Sequence, residues 1–420
     1  MNNYINIVFL FAIIYFSFRD SPKAIWIYIV ASYIAPVFII AGARLSFDIV
    51  AFPFVFVGYI MKHHFVIRLN NAIKRFMGYF IVYNSLTLCT CIIFNSSFSV
   101  ATSYAIFRFI FSILIIHNEW FGNTYIFIDK VLRVVLPIEC LCAILQMTNI
   151  LSVKVFYDLY YKESLVPLAG QLKMGYFNRA YGTTGSPIII GGFAALCFTY
   201  YLYTYLQENF KIQHSLIKLV MSVMCGLLAL SKSAILAMPV STIFLLFFSE
   251  RKISIKTIFN GLVLTCGVVV AIYYVVSWLR SGGYAITYYL SFIRNPLSAL
   301  NTRYSSDSGN LSLAIDIIKN NFVIGVGNAN INNSFVGDSV YIVILYETGI
   351  IGMFTYFYPY IMATIENIRS KKILGISLFL VLLLIALGNA LQVSYYILMF
   401  VALILEVSSD SNAASVVMEC

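Results

Sequence analysis

Arginine is the residue type whose placement in this chain says most about chemistry. Arg179, Arg280, Arg294 and Arg303 all lie in two polar segments between apolar runs. The guanidinium group stays charged at any accessible pH and presents a rigid fork of donors that matches phosphate and carboxylate oxygens. These arginines are therefore candidates for binding an anionic ligand. For Arg280 and Arg294 the alternative is simple contact with lipid headgroups.

The segment that follows Arg179 has the composition of an anion-binding loop. It reads Ala-Tyr-Gly-Thr-Thr-Gly-Ser and meets an apolar run at Pro187, a residue suited to the first turn of a helix. Gly182 and Gly185 would let backbone amides approach an anion, and a helix N-terminus adds partial positive charge. We predict that this segment and Arg179 form an anion pocket, although an ordinary loop-to-helix cap has a similar sequence.

A carboxylate stands at the other end of the second polar segment. Asp338 lies where the chain enters the next apolar run. An aspartate in this position is often only a helix cap. It is also suited to act as a general base toward a hydroxyl nucleophile held near the arginines. The residues alone leave both interpretations open.

Other classes of site lack their usual residues. The eight cysteines lie inside apolar segments or at the C-terminus, without histidine or cysteine partners at zinc spacing. No Walker loop, His-Glu-x-x-His or Gly-x-Ser-x-Gly motif occurs. We therefore expect no metal and no cofactor.

The composition indicates what must surround these residues. Hydrophobic residues make up 61% of the chain and charged residues 10%, against roughly a quarter charged in ordinary soluble domains. Such a surface needs a bilayer as solvent, so membrane lipids are expected partners. The net charge of +10 does not indicate nucleic acid, because the basic residues fall between apolar runs as the positive-inside rule predicts.

The apolar runs predict the architecture. We expect an all-α polytopic bundle of about 12–13 transmembrane helices, forming one membrane domain over residues 1–420, with a first run that is a retained helix rather than a signal peptide. The predicted spans are 3–18, 24–42, 46–61, 76–94, 100–117, 131–148, 187–206, 217–231, 233–249, 257–278, 339–364, 373–387 and 389–408.

The short basic connectors give the orientation. They belong in the cytoplasm, and counting spans from them places two long polar loops, 149–186 and 279–338, on the opposite face. Arginine is disfavoured there, so an anionic ligand, most simply a lipid pyrophosphate, would account for the four loop arginines. In the second loop, Leu311, Ala314, Ile315 and Ile318 share one helical face, which predicts a helix on the membrane surface.

Two charged residues fall near the middle of predicted spans. Arg108 lies about nine residues into the fifth span and Glu139 about nine residues into the sixth, which runs antiparallel. Intramembrane charges normally pair or face water. We therefore predict an Arg108–Glu139 ion pair.

Three stretches carry motifs that occur together in a known family. Residues 179–187 place an arginine before glycines and a span, and Leu230-Ser-Lys-Ser-Ala234 forms a helix junction. The third stretch comprises Arg303, 310–327, 338–341 and 347–352. Over about residues 175–355 the chain resembles the O-antigen polymerase and ligase family of bacterial surface-polysaccharide enzymes. Lys232 stands where that family usually has arginine, and Asp338-Ser339 stands where a His-Asn pair is common.

The resemblance implies a GT-C-like fold and a metal-independent glycosyltransferase in the bacterial inner membrane, with its site facing the periplasm. The substrate would be a polyprenyl-pyrophosphate-linked oligosaccharide, and a chain-length regulator and a flippase would be partners. It assigns Arg179 and Arg303 to the departing pyrophosphate and Asp338 to the base. Substrate-binding residues would be Arg280, Arg294, Gly182, Gly185, Lys232 and Tyr341.

Two alternatives remain beside a polymerase. The first is an O-antigen ligase, which uses the same donor chemistry with a lipid-core acceptor. The missing histidine at 338 favours the polymerase over this enzyme. The second is a flippase or other transporter of lipid-linked oligosaccharides, which would be expected to show an internal repeat and cations lining a central cavity.

Overall fold

The computed structural model describes residues 2–40, 42–64, 69–94, 100–160, 175–207, 213–248, 295, 311–327, 339–388 and 393–406. Within them the regular secondary structure is helical apart from one short β-hairpin. The helices are α1 (Asn2–Arg19), α2 (Ser21–Ile34), α3 (Phe47–His63), α4 (Asn71–Ile93), α5 (Val100–Glu119), α6 (Thr124–Met147), α7 (Val153–Tyr160), α8 (Pro187–Gln207), α9 (Gln213–Leu228), α10 (Lys232–Phe248), α11 (Ser312–Asn320), α12 (Val340–Arg369), α13 (Ile373–Ala386) and α14 (Tyr395–Leu405).

The helices have the length and composition of a membrane protein. Four of those described, α4, α5, α8 and α12, are long and apolar enough to cross a bilayer, and shorter apolar helices accompany them. In α8 78% of the apolar window is buried, against 33% in α4. Because helices in the middle of a bundle lose their lipid-facing surface, α8 is the most central of these four helices. The predicted span 257–278 lies outside the described residues.

One predicted span is interrupted by a strand. The sequence suggested a helix over 24–42, but α2 ends at Ile34 and Ala35 is extended, with φ −71° and ψ 141°. Pro36 explains the end, because the residue before a proline is pushed away from helical angles. The chain then forms the antiparallel hairpin of β1 (Phe38–Ile40) and β2 (Ala43–Leu45).

The predicted span 339–364 contains a break. Gly349, in the middle of α12, has φ 63° and ψ −160°, so two helical segments meet there. A non-helical residue leaves carbonyls at the end of the first segment and amides at the start of the second without intrahelical partners. In a membrane these groups must be satisfied by other parts of the protein.

Residues 322–327 supply those partners. The Val326 amide donates to the Tyr346 carbonyl at 2.8 Å, and the Gly327 amide donates to the Glu347 carbonyl at 2.9 Å. On the other side of the break, the Ile350 amide donates to the Phe322 carbonyl at 2.9 Å. The segment therefore closes both broken helix ends.

Helix α11 brings this segment to α12. Of the predicted face, Ala314, Ile318 and the preceding Leu311 are buried and Ile315 is half-buried, and Ala314 and Ile318 pack with Tyr346. The sequence analysis expected this face to rest on the membrane surface. The structure instead covers it with α12.

Candidate functional site

The candidate site is built on the loop before α8, residues 175–186, which we call the Arg179 loop. It is unusually buried for a loop: Phe177, Ala180 and Tyr181 have no exposed surface. Loops normally lie at the surface because buried backbone groups need partners. Whether the loop is held in a single conformation therefore depends on the hydrogen bonds that its backbone makes.

Gln146, near the end of α6, binds the loop backbone at three points. Its Oε1 accepts hydrogen bonds from the amides of Tyr181 at 2.7 Å and Gly182 at 3.0 Å. Its Nε2 donates to the Gly182 carbonyl at 2.9 Å. The side chain is fully buried, so water does not compete for these bonds.

Glu139 binds the next residue of the loop from two turns earlier in α6. Its fully buried carboxylate accepts the Thr183 amide at 2.8 Å and also contacts the Thr183 hydroxyl. That hydroxyl lies 2.7 Å from the Tyr33 carbonyl of α2. The Glu139 carboxylate thus joins the loop to α6, and the Thr183 hydroxyl joins the loop to α2.

The two glycines that the sequence analysis singled out have a structural role in the loop. Gly182 has φ +57° and its amide is already bound by Gln146, so it is not presented to a ligand. A side chain there would run into the Glu139 carboxylate and Ile190. Gly185 has φ +73°, in the left-handed region that favours glycine. Both glycines therefore shape the loop.

The predicted Arg108–Glu139 ion pair is wrong. Arg108 Nη1 lies 3.0 Å from Oδ2 of Asp48, and both side chains are nearly buried. Asp48 lies in the first turn of α3, near the start of the predicted span 46–61. The buried position of Arg108 was expected, but its partner comes from a different helix.

Arg179 itself is half-buried at the edge of the loop. Its guanidinium is close enough to the Tyr181 phenol to influence the pKa of that group. Burial raises the pKa of the Tyr181 phenol, and the nearby positive charge of Arg179 partly offsets that rise. Tyr181 therefore stays protonated near neutral pH.

Lys232 belongs to the same end of the bundle. The Ala180 amide donates to the Leu228 carbonyl at the end of α9 at 2.8 Å, which joins the Arg179 loop to the α9–α10 turn. Lys232 is the first residue of α10, directly after that turn. The turn packs against α8, because a side chain on Gly191 would collide with Ser231. Arg179 and Lys232 are thus carried by segments in contact.

Tyr341 has an internal role. Its hydroxyl donates to the Leu383 carbonyl of α13 at 2.9 Å, and its ring stacks on Phe357 with centroids 5.3 Å apart. The predicted contact of Tyr341 with substrate stays a prediction. The side chain fixes the first segment of α12 against α13.

The remaining predicted site residues, Arg280, Arg294, Arg303 and Asp338, lie outside the described residues. Among the described residues, no group of three or more histidine, cysteine or acidic side chains is placed to hold a metal ion.

Sequence reasoning missed Arg44. It lies in β2, and its Nη1 donates to the Tyr157 carbonyl of α7 at 3.1 Å while the guanidinium lies 5.4 Å from the centre of the Tyr157 ring. The α7 region is tied to the same end of the bundle, since the Tyr160 hydroxyl donates to the Ile34 carbonyl at 3.0 Å. Counting the predicted spans places Arg44 on the same membrane face as the loop arginines, and this topology could have identified it from the sequence.

No family model matches the chain, and no curated protein or solved structure shows a significant similarity to it.

Proposed function

We propose that this chain is a membrane glycosyltransferase that polymerises oligosaccharide repeat units carried on polyprenyl pyrophosphate. The observation that carries the proposal is the Arg179 loop: a cationic loop whose backbone is fixed by two buried side chains, Glu139 and Gln146. Electrostatic catalysis requires donors that are already in place when charge develops. A loop held in this way meets that requirement.

The proposed reaction forms one glycosidic bond and breaks one sugar–phosphate bond. A hydroxyl of the incoming repeat unit attacks the anomeric carbon of the growing glycan, and polyprenyl pyrophosphate leaves with the bonding electron pair. A base takes the hydroxyl proton; Asp338 is the candidate from the sequence. Negative charge grows on the leaving pyrophosphate, so guanidinium groups stabilise the transition state more than the ground state.

The supporting charges come from separate parts of the chain. Arg179 and Lys232 lie on segments joined by the Ala180–Leu228 hydrogen bond, and Arg44 lies in the hairpin that follows α2. Arg303 and Arg280 are further candidates from the sequence. The proposed location is the bacterial inner membrane, with this end of the bundle facing the periplasm.

One observation favours a second candidate, transport of the lipid-linked oligosaccharide. Discontinuous helices such as α12 are common in secondary transporters, where the broken ends line a substrate site. In this chain the described ends of the break are closed by residues 322–327 rather than left for a ligand. The transferase is therefore the better-supported proposal.

The test is extension of a defined lipid-linked repeat unit by the purified full chain. Arg179→Ala and Arg303→Ala should abolish elongation, while Arg133→Ala, which removes an exposed arginine of α6 paired with Asp129 at 2.7 Å, should leave it unchanged. Normal elongation by both loop variants would remove the site assignment. Movement of the lipid across vesicles without elongation would favour transport, and transfer only to a lipid-core acceptor would favour a ligase.

A further inference from the structure

A cavity of about 430 Å³ lies at the end of the bundle opposite the Arg179 loop. Helix α6 connects the two places, with Tyr125 in the cavity wall and Gln146 in the loop, about 30 Å apart along the helix. Residues of α8, α12, α13 and α14 complete the wall. This cavity belongs to no part of the proposed transferase site.

The cavity holds one side chain of each charge. Lys372, directly before α13, and Glu406, directly after α14, both line it. Lys372 Nζ donates to the main-chain carbonyl of Glu406 at 2.6 Å, so the two residues are neighbours. A purely anionic ligand would be repelled by the Glu406 carboxylate, and a purely cationic ligand would be repelled by the Lys372 ammonium group. A ligand that carries both charges would satisfy both.

Two acceptors in the cavity wall have no hydrogen-bond partner among the described residues. They are Oδ1 of Asn367 and Oε1 of Glu406. Asn367 is 1% exposed, and its Nδ2 is already used in donating to the Ile404 carbonyl at 2.9 Å. An unpaired buried acceptor costs about 1–3 kcal/mol. The Glu406 carboxylate also interacts with Thr124 and with the Gly122 backbone, so its Oε1 and the Oδ1 of Asn367 are the two atoms left for a donor from outside the described residues.

Burial affects the two charged groups in opposite ways. It lowers the pKa of Lys372 and raises the pKa of Glu406. Each group is thus partly deprived of solvent in the cavity. Opposite charges brought by a ligand would restore what desolvation removes.

We propose that this cavity binds the headgroup of a zwitterionic phospholipid, a primary ammonium linked to a phosphate. The ammonium group supplies N–H donors to Glu406 Oε1 and Asn367 Oδ1, and the phosphate accepts from Lys372. The lipid is favoured over a soluble compound with the same groups because the cavity lies at a bundle end with Tyr125 and Tyr203 in its wall, and tyrosine side chains are enriched at headgroup depth. The inference is independent of the proposed transferase activity.

The test compares lipids on the unmodified full chain. The protein is placed in nanodiscs with equimolar phosphatidylethanolamine, phosphatidylcholine and phosphatidylglycerol of the same acyl chains, and retained lipid is measured by native mass spectrometry. Phosphatidylethanolamine should be retained about tenfold more strongly than phosphatidylcholine, a factor equal to about 1.4 kcal/mol. The trimethylammonium group has the charge but no N–H donor. Equal retention of the three lipids would overturn the proposal.

Two variants and a matched control locate the effect. Lys372→Gln and Glu406→Gln should remove the preference, whereas Lys371→Gln, at the exposed neighbouring lysine, should keep it. Melting temperatures identify any variant that fails to fold. The lipid comparison on the unmodified chain does not depend on the variants. Unchanged preference in a folded Lys372→Gln protein would contradict the assignment. A second outcome would also overturn the proposal. If free phosphoethanolamine saturated the protein in detergent and the lipid did not compete with it, the ligand would be a soluble compound.

Discussion

The carboxylate of Glu139 occupies the space that a β-carbon on Gly182 would need. The two residues are 43 positions apart, yet each is constrained by the other: the glycine admits the carboxylate, and the carboxylate binds Thr183 next to the glycine. The shape of the Arg179 loop is therefore set by a side chain inside the bundle.

Gly182→Ala should destabilise the protein. The substitution brings a methyl group against the Glu139 carboxylate and Ile190 and requires alanine at φ +57°. Strain of this kind costs about 1–3 kcal/mol, so the melting temperature of the detergent-solubilised chain should fall. Gly78→Ala is the control, because a β-carbon there meets no atom within 4 Å. Equal melting temperatures for the two variants would contradict the described loop.

Substitutions at Glu139 should separate hydrogen bonding from charge. In Glu139→Ala the Thr183 amide loses its partner in a buried place, which costs about 1–3 kcal/mol. Glu139→Gln keeps an oxygen for that amide and should lose less. Melting temperature and the rate of proteolysis within 175–186 should therefore rank glutamate first, glutamine second and alanine last. If alanine equalled glutamine, the Thr183 bond would not be holding the loop.

Arg108 should couple energetically to Asp48 and not to Glu139. Breaking a buried ion pair leaves an uncompensated charge, so Arg108→Ala and Asp48→Ala should each cost about 3–5 kcal/mol. A double-mutant cycle should give a coupling energy of about 1 kcal/mol or more for this pair, and less than about 0.5 kcal/mol for Arg108 with Glu139. The measurement is chemical denaturation in detergent. A larger coupling with Glu139 would restore the pairing that the sequence suggested.

The guanidinium of Arg179 should matter more than its charge. Arg179→Lys keeps a positive charge but loses the planar fork that binds two oxygens at once. Elongation by this variant should drop about 100-fold, the scale of removing one transition-state donor, and the loss should appear in kcat rather than KM. Full activity with lysine would mean that a simple positive charge suffices.

Neither the break in α12 nor residues 322–327, which close it, should tolerate an added side chain at their glycines. A β-carbon on Gly325 would lie 2.5 Å from the Thr348 amide nitrogen, and one on Gly349 would meet the backbone of Val323. Backbone cannot move aside as a side chain can, so Gly325→Ala and Gly349→Ala should both reduce the yield of folded protein. Gly388→Ala, with Ser233 at 3.6 Å, is the control. Normal yield from either break variant, measured by size-exclusion chromatography, would argue against the closure.

Local patterns predicted the parts of the fold that depend on neighbouring residues. The start of α8 at Pro187 and the buried face of α11 both follow from spacing along one helix. The predicted span 24–42 extends past the end of α2 because the apolar run continues through Pro36. Hydropathy also showed no sign of the break at Gly349, whose partners lie more than twenty residues earlier in the chain.

The residues that hold the candidate site were not predicted as such. Arg179 was singled out from its sequence, but Gln146 and Glu139 reach its loop across 35 and 44 positions. One sequence gives no measure of such contacts. Gln146 did offer a signal, since it is a lone amide in an apolar run. Glu139 offered another, and it was matched to the wrong partner.

The closure of α12 by residues 322–327 has a consequence for engineering. Each stretch provides the hydrogen-bond partners of the other, so the two behave as a single module although they are separated along the chain. A chimera that exchanges 346–351 with another protein would need to exchange 322–327 in the same step. Transplanting either stretch alone would leave bare peptide groups within a hydrocarbon environment.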